Sequence, residues 1–136
     1  MPTTGKCLCG AVTLTLETVE GEPLQHALCH CTNCQLSGGA PIASYFIVPE
    51  SRLKVDGTLI TTIAKADSGN DVTYDACAKC GSPITHGSKA LGENIGVRSP
   101  LLPTLKPSPI VAEFFTCNRW ETLKPLDAAV QLNKME

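Results

Sequence analysis

Apolar and polar residues take turns along much of this chain. Residues 11–18 run Ala-Val-Thr-Leu-Thr-Leu-Glu-Thr, the alternation of a strand with one buried and one solvated face. Residues 41–48 (PIASYFIV) are rich in β-branched and aromatic side chains and stop at Pro49. Shorter runs of the same kind predict strands over residues 59–63, 72–74, 84–86, 94–97 and 110–115. Turn formers punctuate them, most densely in Asp67-Ser68-Gly69-Asn70-Asp71. No long stretch repeats with the helical period. Residues 32–37 form the single candidate helical turn, closed by Gly38-Gly39, and residues 100–109 hold four prolines and read as a connector. The pattern predicts a mainly β, single-domain fold with short helical turns, spanning residues 1–136.

Composition sharpens this picture. A chain of 136 residues with 43% hydrophobic and 18% charged positions suits one globular core. Aromatic residues are only 4%, so aliphatic side chains must build that core. The net charge of −2 gives no electrostatic case for nucleic acid or an anionic membrane as partner. The first residues lack a charged stretch followed by an apolar run, and no window has the roughly 18 apolar residues of a membrane helix. The expected compartment is the cytoplasm, where thiols serve as ligands or nucleophiles more often than as disulfides.

The eight cysteines then become the main chemical signal. They cluster as Cys7-x-Cys9, Cys29-x-Cys31-x-x-Cys34 and Cys77-x-x-Cys80, leaving Cys117 alone. A glycine follows Cys9 and Cys80, as in metal-binding knuckles whose backbone amides turn back toward the sulfurs. Bridging partners two residues apart is strained, which argues against a disulfide framework. The two pairs supply four thiolates, enough to close a tetrahedral zinc site. The triplet then has three ligands and an open position, as at a catalytic zinc. A second partition, the triplet completed by Cys117, would give two closed sites and no chemistry.

Gly5-x-Cys7-x-Cys9-Gly10-x-Val12, Cys29-His30-Cys31-x-x-Cys34, Gly38, Pro41 and Cys77-x-x-Cys80-Gly81-Ser82-Pro83 follow one another in the order of a known family. Lys106-Pro107, Glu113-x-Phe115 and Arg119-Trp120 extend the match. The chain resembles the glutathione-dependent formaldehyde-activating enzymes of the S-(hydroxymethyl)glutathione synthase type, whose relatives include centromere protein V. The resemblance implies an Mss4-like zinc-binding β fold. It also implies two zinc ions, a structural one on Cys7, Cys9, Cys77 and Cys80 and a catalytic one on Cys29, Cys31 and Cys34, with glutathione as co-substrate.

Three thiolates bring −3 to a +2 ion and dampen its Lewis acidity, so activation of water fits less well than capture of a substrate thiol. The expected activity is a carbon–sulfur lyase or synthase joining a small-molecule thiol to a small aldehyde or related electrophile. His30, fixed between two ligands, is a candidate for proton transfer, although strand parity turns the neighbours of inward-facing residues outward. Asn33 and Gln35 are candidates to orient a substrate carboxylate or carbonyl, and Arg119 to pair with a glutathione carboxylate. His26 and His86 are read as structural and Trp120 as core. The rival readings are a biosynthetic zinc enzyme acting on another small molecule and a non-catalytic zinc module that binds a macromolecule.

Overall fold

The computed structural model describes residues 2–134. Among the described residues eleven strands and one α-helix follow one another: β1 (Pro2–Lys6), β2 (Thr13–Glu17), β3 (Gln25–Cys29), α1 (Thr32–Gly38), β4 (Ala43–Pro49), β5 (Leu53–Asp56), β6 (Leu59–Lys65), β7 (Asp71–Cys77), β8 (Pro83–Ser88), β9 (Asn94–Arg98), β10 (Ala112–Phe114) and β11 (Val130–Gln131). They form a three-stranded sheet, β1-β2-β5, and an eight-stranded sheet in the order β11-β10-β3-β4-β9-β8-β7-β6. Pairing is antiparallel except where β10 lies parallel to β3 and to β11. The mainly β expectation holds.

Strand parity decides what each face of the large sheet buries. On β4, Phe46 and Val48 point to one side and meet Leu14 and Leu16 of β2, Val97 of β9 and the loop residues Leu101 and Leu102. Leu14 and Leu16 are each 1% exposed, which is worth roughly 1.5–3 kcal/mol per side chain. Ala43 and Tyr45 point to the other side and join Ala27, Cys29 and Cys34 in a second, smaller core under α1. The small sheet therefore covers one face of the large sheet, and α1 sits on the other.

Four strands lie outside the set the sequence predicts. β1 (PTTGK) and β11 (VQ) have little apolar content and form by pairing with β2 and β10. β3 (QHALC) is buried on both faces between β10 and β4, so nothing in it alternates. β5 (LKVD) does alternate but is only four residues long. The proline-rich connector contains two short 3-10 turns, Ser99–Leu101 and Pro103–Leu105, that place Leu101 and Leu102 in the core. Trp120 corrects the expectation of a core tryptophan. It is 56% exposed, carried on the irregular surface segment after the 3-10 turn Thr116–Asn118. No helix among the described residues is long and apolar enough to cross a membrane.

Candidate metal centres and the cavity beside them

Two tight turns, each after a strand, bring the cysteine pairs together. The first follows β1, where the Gly10 amide bonds the Cys7 carbonyl at 3.1 Å and Gly10 takes a φ of 81°. The second follows β7, where the Gly81 amide bonds the Cys77 carbonyl at 2.9 Å and Gly81 takes a φ of 77°. Only glycine adopts that backbone cheaply. The Leu8 amide donates to the Ser82 hydroxyl at 3.2 Å and ties one turn to the other.

The sulfurs of Cys7, Cys9, Cys77 and Cys80 all lie within 4.8 Å of one another. Cys7 and Cys9 sulfurs are 3.7 Å apart, and those of Cys9 and Cys77 are 3.8 Å apart. A tetrahedron with metal–sulfur bonds of roughly 2.3 Å has edges of about 3.8 Å, so these spacings fit a zinc ion. Amides already point at the sulfurs: Val12 at Cys7 (3.3 Å), Ala11 at Cys9 (3.4 Å), and Lys79 and Cys80 at Cys77 (both 3.4 Å). The Ser82 hydroxyl, 3.1 Å from Cys80 Sγ, leads the contacts that hold that thiol down at about 5. Such donors stabilise thiolates, the form that binds metal.

The second cluster is built differently. Cys29 ends β3, Cys31 caps the N-terminus of α1, and Cys34 lies in its first turns. Cys31 has the extended backbone of a cap, and its sulfur accepts from the Cys34 amide at 3.2 Å. These three sulfurs also lie within 4.8 Å of one another, with no fourth His, Cys, Asp or Glu in the cluster among the described residues. Hydrogen bonds from the Cys29 and Cys34 thiols, joined by the Cys34 amide, hold Cys31 down at about 3, while the same sharing pushes Cys29 up. The Cys34 amide, aimed at the Cys31 sulfur, favours negative charge in the cluster. Cys117 is exposed, bonds the Asn118 side chain at 2.9 Å, and belongs to neither cluster, which disposes of the partition that used it as a fourth ligand.

A cavity of about 420 Å³ opens onto Cys29, Cys31 and Cys34. Its remaining walls include Tyr45, Tyr74, His86, Phe115, Asn33 and Asn118. The register explains the floor. Tyr74 of β7 lies opposite His86 of β8, and His86 lies opposite Gly96 of β9, so the rings share a face. His86 packs edge-on against Tyr45 at 4.6 Å and stacks on Tyr74 at 5.8 Å. A Cβ at Gly96 would collide with the His86 ring, so glycine makes room for it there. Burial, helped by the Arg98 guanidinium, lowers His86 to about 4 and keeps it neutral. Burial, together with the charges of Cys34 and Cys31, raises Tyr74, whose oxygen is 4.0 Å from Cys34 Sγ. Tyr45 Oη and His86 Nδ1 are buried with no partner among the described residues. Phe115 has a left-handed backbone with φ 56°, and it is the one non-glycine residue with positive φ among the described residues.

The structure divides the remaining sequence candidates. Asn33 lines the cavity while its amide donates to the Lys65 carbonyl at 2.9 Å. Gln35 points along α1 and donates to the Asn118 carbonyl at 3.2 Å, outside the cavity wall. His30 and Arg119 are brought together elsewhere, behind the cluster. Glu113 of β10 is 1% exposed and His30 is fully buried, with His30 Nε2 donating to Glu113 Oε1 at 2.7 Å. Arg119 reaches the same oxygen at 3.4 Å and also bonds Gln131. Burial opposes the Glu113 charge, but the Leu126 amide, the Gln131 amide and His30 outweigh it and hold the carboxyl at about 2. His26 is structural, as expected: it stacks on Phe46 at 4.2 Å and bonds Ser108 and Ser99. Sequence reading missed Tyr45, Tyr74 and His86 as cavity residues. Only the strand register that pairs them could have revealed them.

Comparison with known proteins bears on the family and the fold. The family model described as "Glutathione-dependent formaldehyde-activating enzyme" matches residues 2–118. No curated protein sequence matches the chain. A structural-genomics crystal structure of a Rhodobacter sphaeroides protein superimposes with a TM-score of 0.54 at 22% identity, covering 95% of this chain and 98% of that one, a likeness of fold.

Proposed function

The chain belongs to the glutathione-dependent formaldehyde-activating enzyme family, and from that premise we propose that it is a zinc-dependent carbon–sulfur lyase or synthase, with residues 1–136 as one domain of this type. Cys7, Cys9, Cys77 and Cys80 would hold a structural zinc. Cys29, Cys31 and Cys34 would hold a second zinc at which a thiol, glutathione, is received. The observation that carries this reading is the cluster of three sulfurs, without a fourth ligand group, in the wall of a cavity of about 420 Å³.

A zinc held by Cys29, Cys31 and Cys34 would supply a soft Lewis acid that favours the thiolate form of an incoming thiol. The net reaction adds that thiol across an aldehyde carbonyl: the sulfur–carbon bond forms, the carbon–oxygen π bond opens, and the thiol's proton ends on the oxygen. The reverse is carbon–sulfur cleavage. The residues of the cavity suit the oxygen's half of this exchange. The Tyr74 phenol stays protonated at neutral pH and can donate a hydrogen bond to a developing alkoxide. Tyr45 Oη and neutral His86 offer further polar atoms that the protein leaves unpaired. Phe115 and the tyrosine rings exclude water, which strengthens such bonds. Asn33 and Asn118 lie where the peptide or carboxylate groups of a thiol co-substrate would reach the rim.

His30 and Arg119 act in this reading as positioning residues. His30 follows Cys29 and precedes Cys31 directly, and its bond to Glu113 fixes the backbone that carries both ligands. The test is exchange spectroscopy on labelled formaldehyde and glutathione with zinc-loaded protein. Acceleration of hydroxymethyl thioether formation is expected. No acceleration, together with no glutathione-dependent shift of Asn33 or Asn118 resonances at millimolar glutathione, would sink the proposal.

A further inference from the structure

A second, larger hollow lies apart from the cavity and shares no wall with it. It encloses about 1080 Å³ between the small sheet, the start of β4 and the proline-rich connector. Its cationic wall residues are Lys6 and Arg98, no Asp or Glu lines it, and Cys7 of the four-sulfur cluster forms part of the same wall. Hydroxyls of Thr13, Thr15 and Ser44 share the wall. Two cations and these hydroxyl donors, with no carboxylate among them, are groups that an anion can engage.

Arg98 gives the hollow its point of binding. The side chain is 6% exposed, at the end of β9, and it has no carboxylate partner among the described residues. Its one bond to another side chain is to Ser37 at 2.9 Å, and its Nε is buried without a partner. A buried guanidinium with unfilled donors is costly unless something accepts from it. Gly38 keeps its edge clear, since a Cβ there would stand 3.1 Å from Nη1. Arg98 does lend charge to the cysteine cluster, as its effect on Cys34 shows. That role explains neither Lys6 nor the hydroxyls on the hollow's other walls.

We propose that this hollow binds a small carboxylate or phosphate group through Arg98 and Lys6. Its test needs neither glutathione nor aldehyde. The probes are inorganic phosphate and succinate, titrated separately into the zinc-loaded, nitrogen-15-labelled full chain. Saturable shifts of the Lys6, Thr13, Thr15, Ser44 and Arg98 amides are expected, weakened about fivefold or more by Lys6→Glu or Arg98→Gln. Lys6 is exposed, so Lys6→Glu decides the matter even where Arg98→Gln fails to fold. Tighter binding of phosphate assigns a phosphate ester as the natural group, and tighter binding of succinate assigns a carboxylate. No saturable shift, shifts confined to Asn33, Tyr74 and Asn118, or binding indifferent to both variants would overturn the proposal.

Discussion

The two cysteine clusters use similar ligands on opposite faces of one sheet, and they differ in what surrounds the sulfurs. Around the four-sulfur cluster the neighbours are backbone amides from its own turns, at 3.3–3.4 Å, and Cys7 and Cys77 belong to the large core. Around the three-sulfur cluster the neighbours are side chains from distant strands, and one side is cavity. Local amides need no long-range folding to be in place, so the first cluster is equipped to organise the chain. The side chains around the second are gathered by strand register and leave a cavity beside the sulfurs, which equips it to admit a small molecule.

The sharpest way to break this contrast is to damage the closed site. Cys77→Ser should abolish cooperative thermal unfolding followed by circular dichroism, since a structural zinc of this kind is worth on the order of 10 kcal/mol of folding free energy. If Cys77→Ser melts like the parent protein, the cluster is not the fold's anchor.

Cys31→Ser attacks the open site and should leave the melt largely intact. It should drop bound zinc from two ions per chain to one by elemental analysis. Thioether-forming activity should fall by roughly 10³-fold, on the scale of losing a group essential to catalysis. Unfolding of this variant would make the triplet structural and erase the difference between the sites.

How much of this was legible in the sequence follows from the same contrast. Spacing marked the three cysteine groups, because Cys-x-Cys, Cys-x-x-Cys and the following glycines are local features, but it left Cys117 open as a fourth ligand of the triplet until the fold placed it outside both clusters. The strands around β2 and β4 were legible where one face is buried and one is not. β3 was not, because both its faces are covered, and neither were the cavity's aromatic walls. Tyr45, Tyr74 and His86 meet only through the pairing of β4, β9, β8 and β7. His30 shows both sides of the matter. Its parity pointed it away from the thiols, but its partner Glu113 is 83 residues distant and no local pattern announces it.

That partner supplies a smaller test. Glu113→Gln removes the charge that His30, Arg119, Gln131 and the Leu126 amide converge on, and should cost about 3 kcal/mol in denaturant titrations. The pH dependence has a defined sign. A carboxyl lowered from 4.5 to about 2 contributes its stability above pH 4.5 and loses it as pH falls toward 2. The parent should therefore weaken through that window more steeply than Glu113→Gln. Parallel curves would show that Glu113 carries no net stabilising charge.

The smallest expected effect lies at the cavity wall. Tyr74→Phe removes one hydroxyl, 4.0 Å from Cys34 Sγ, and should lower kcat about tenfold with zinc content unchanged. An unchanged kcat would assign Tyr74 to packing alone.

Phe115 casts the open site as a compromise between durability and purpose. Its left-handed backbone costs on the order of 1 kcal/mol or more that a glycine would not pay, yet a glycine would remove a wall of the cavity. The ring also packs against the smaller core, so its burial offsets the strain of the backbone that carries it. A benzyl side chain at a position that favours glycine thus ties the cavity wall and the smaller core to one strained residue.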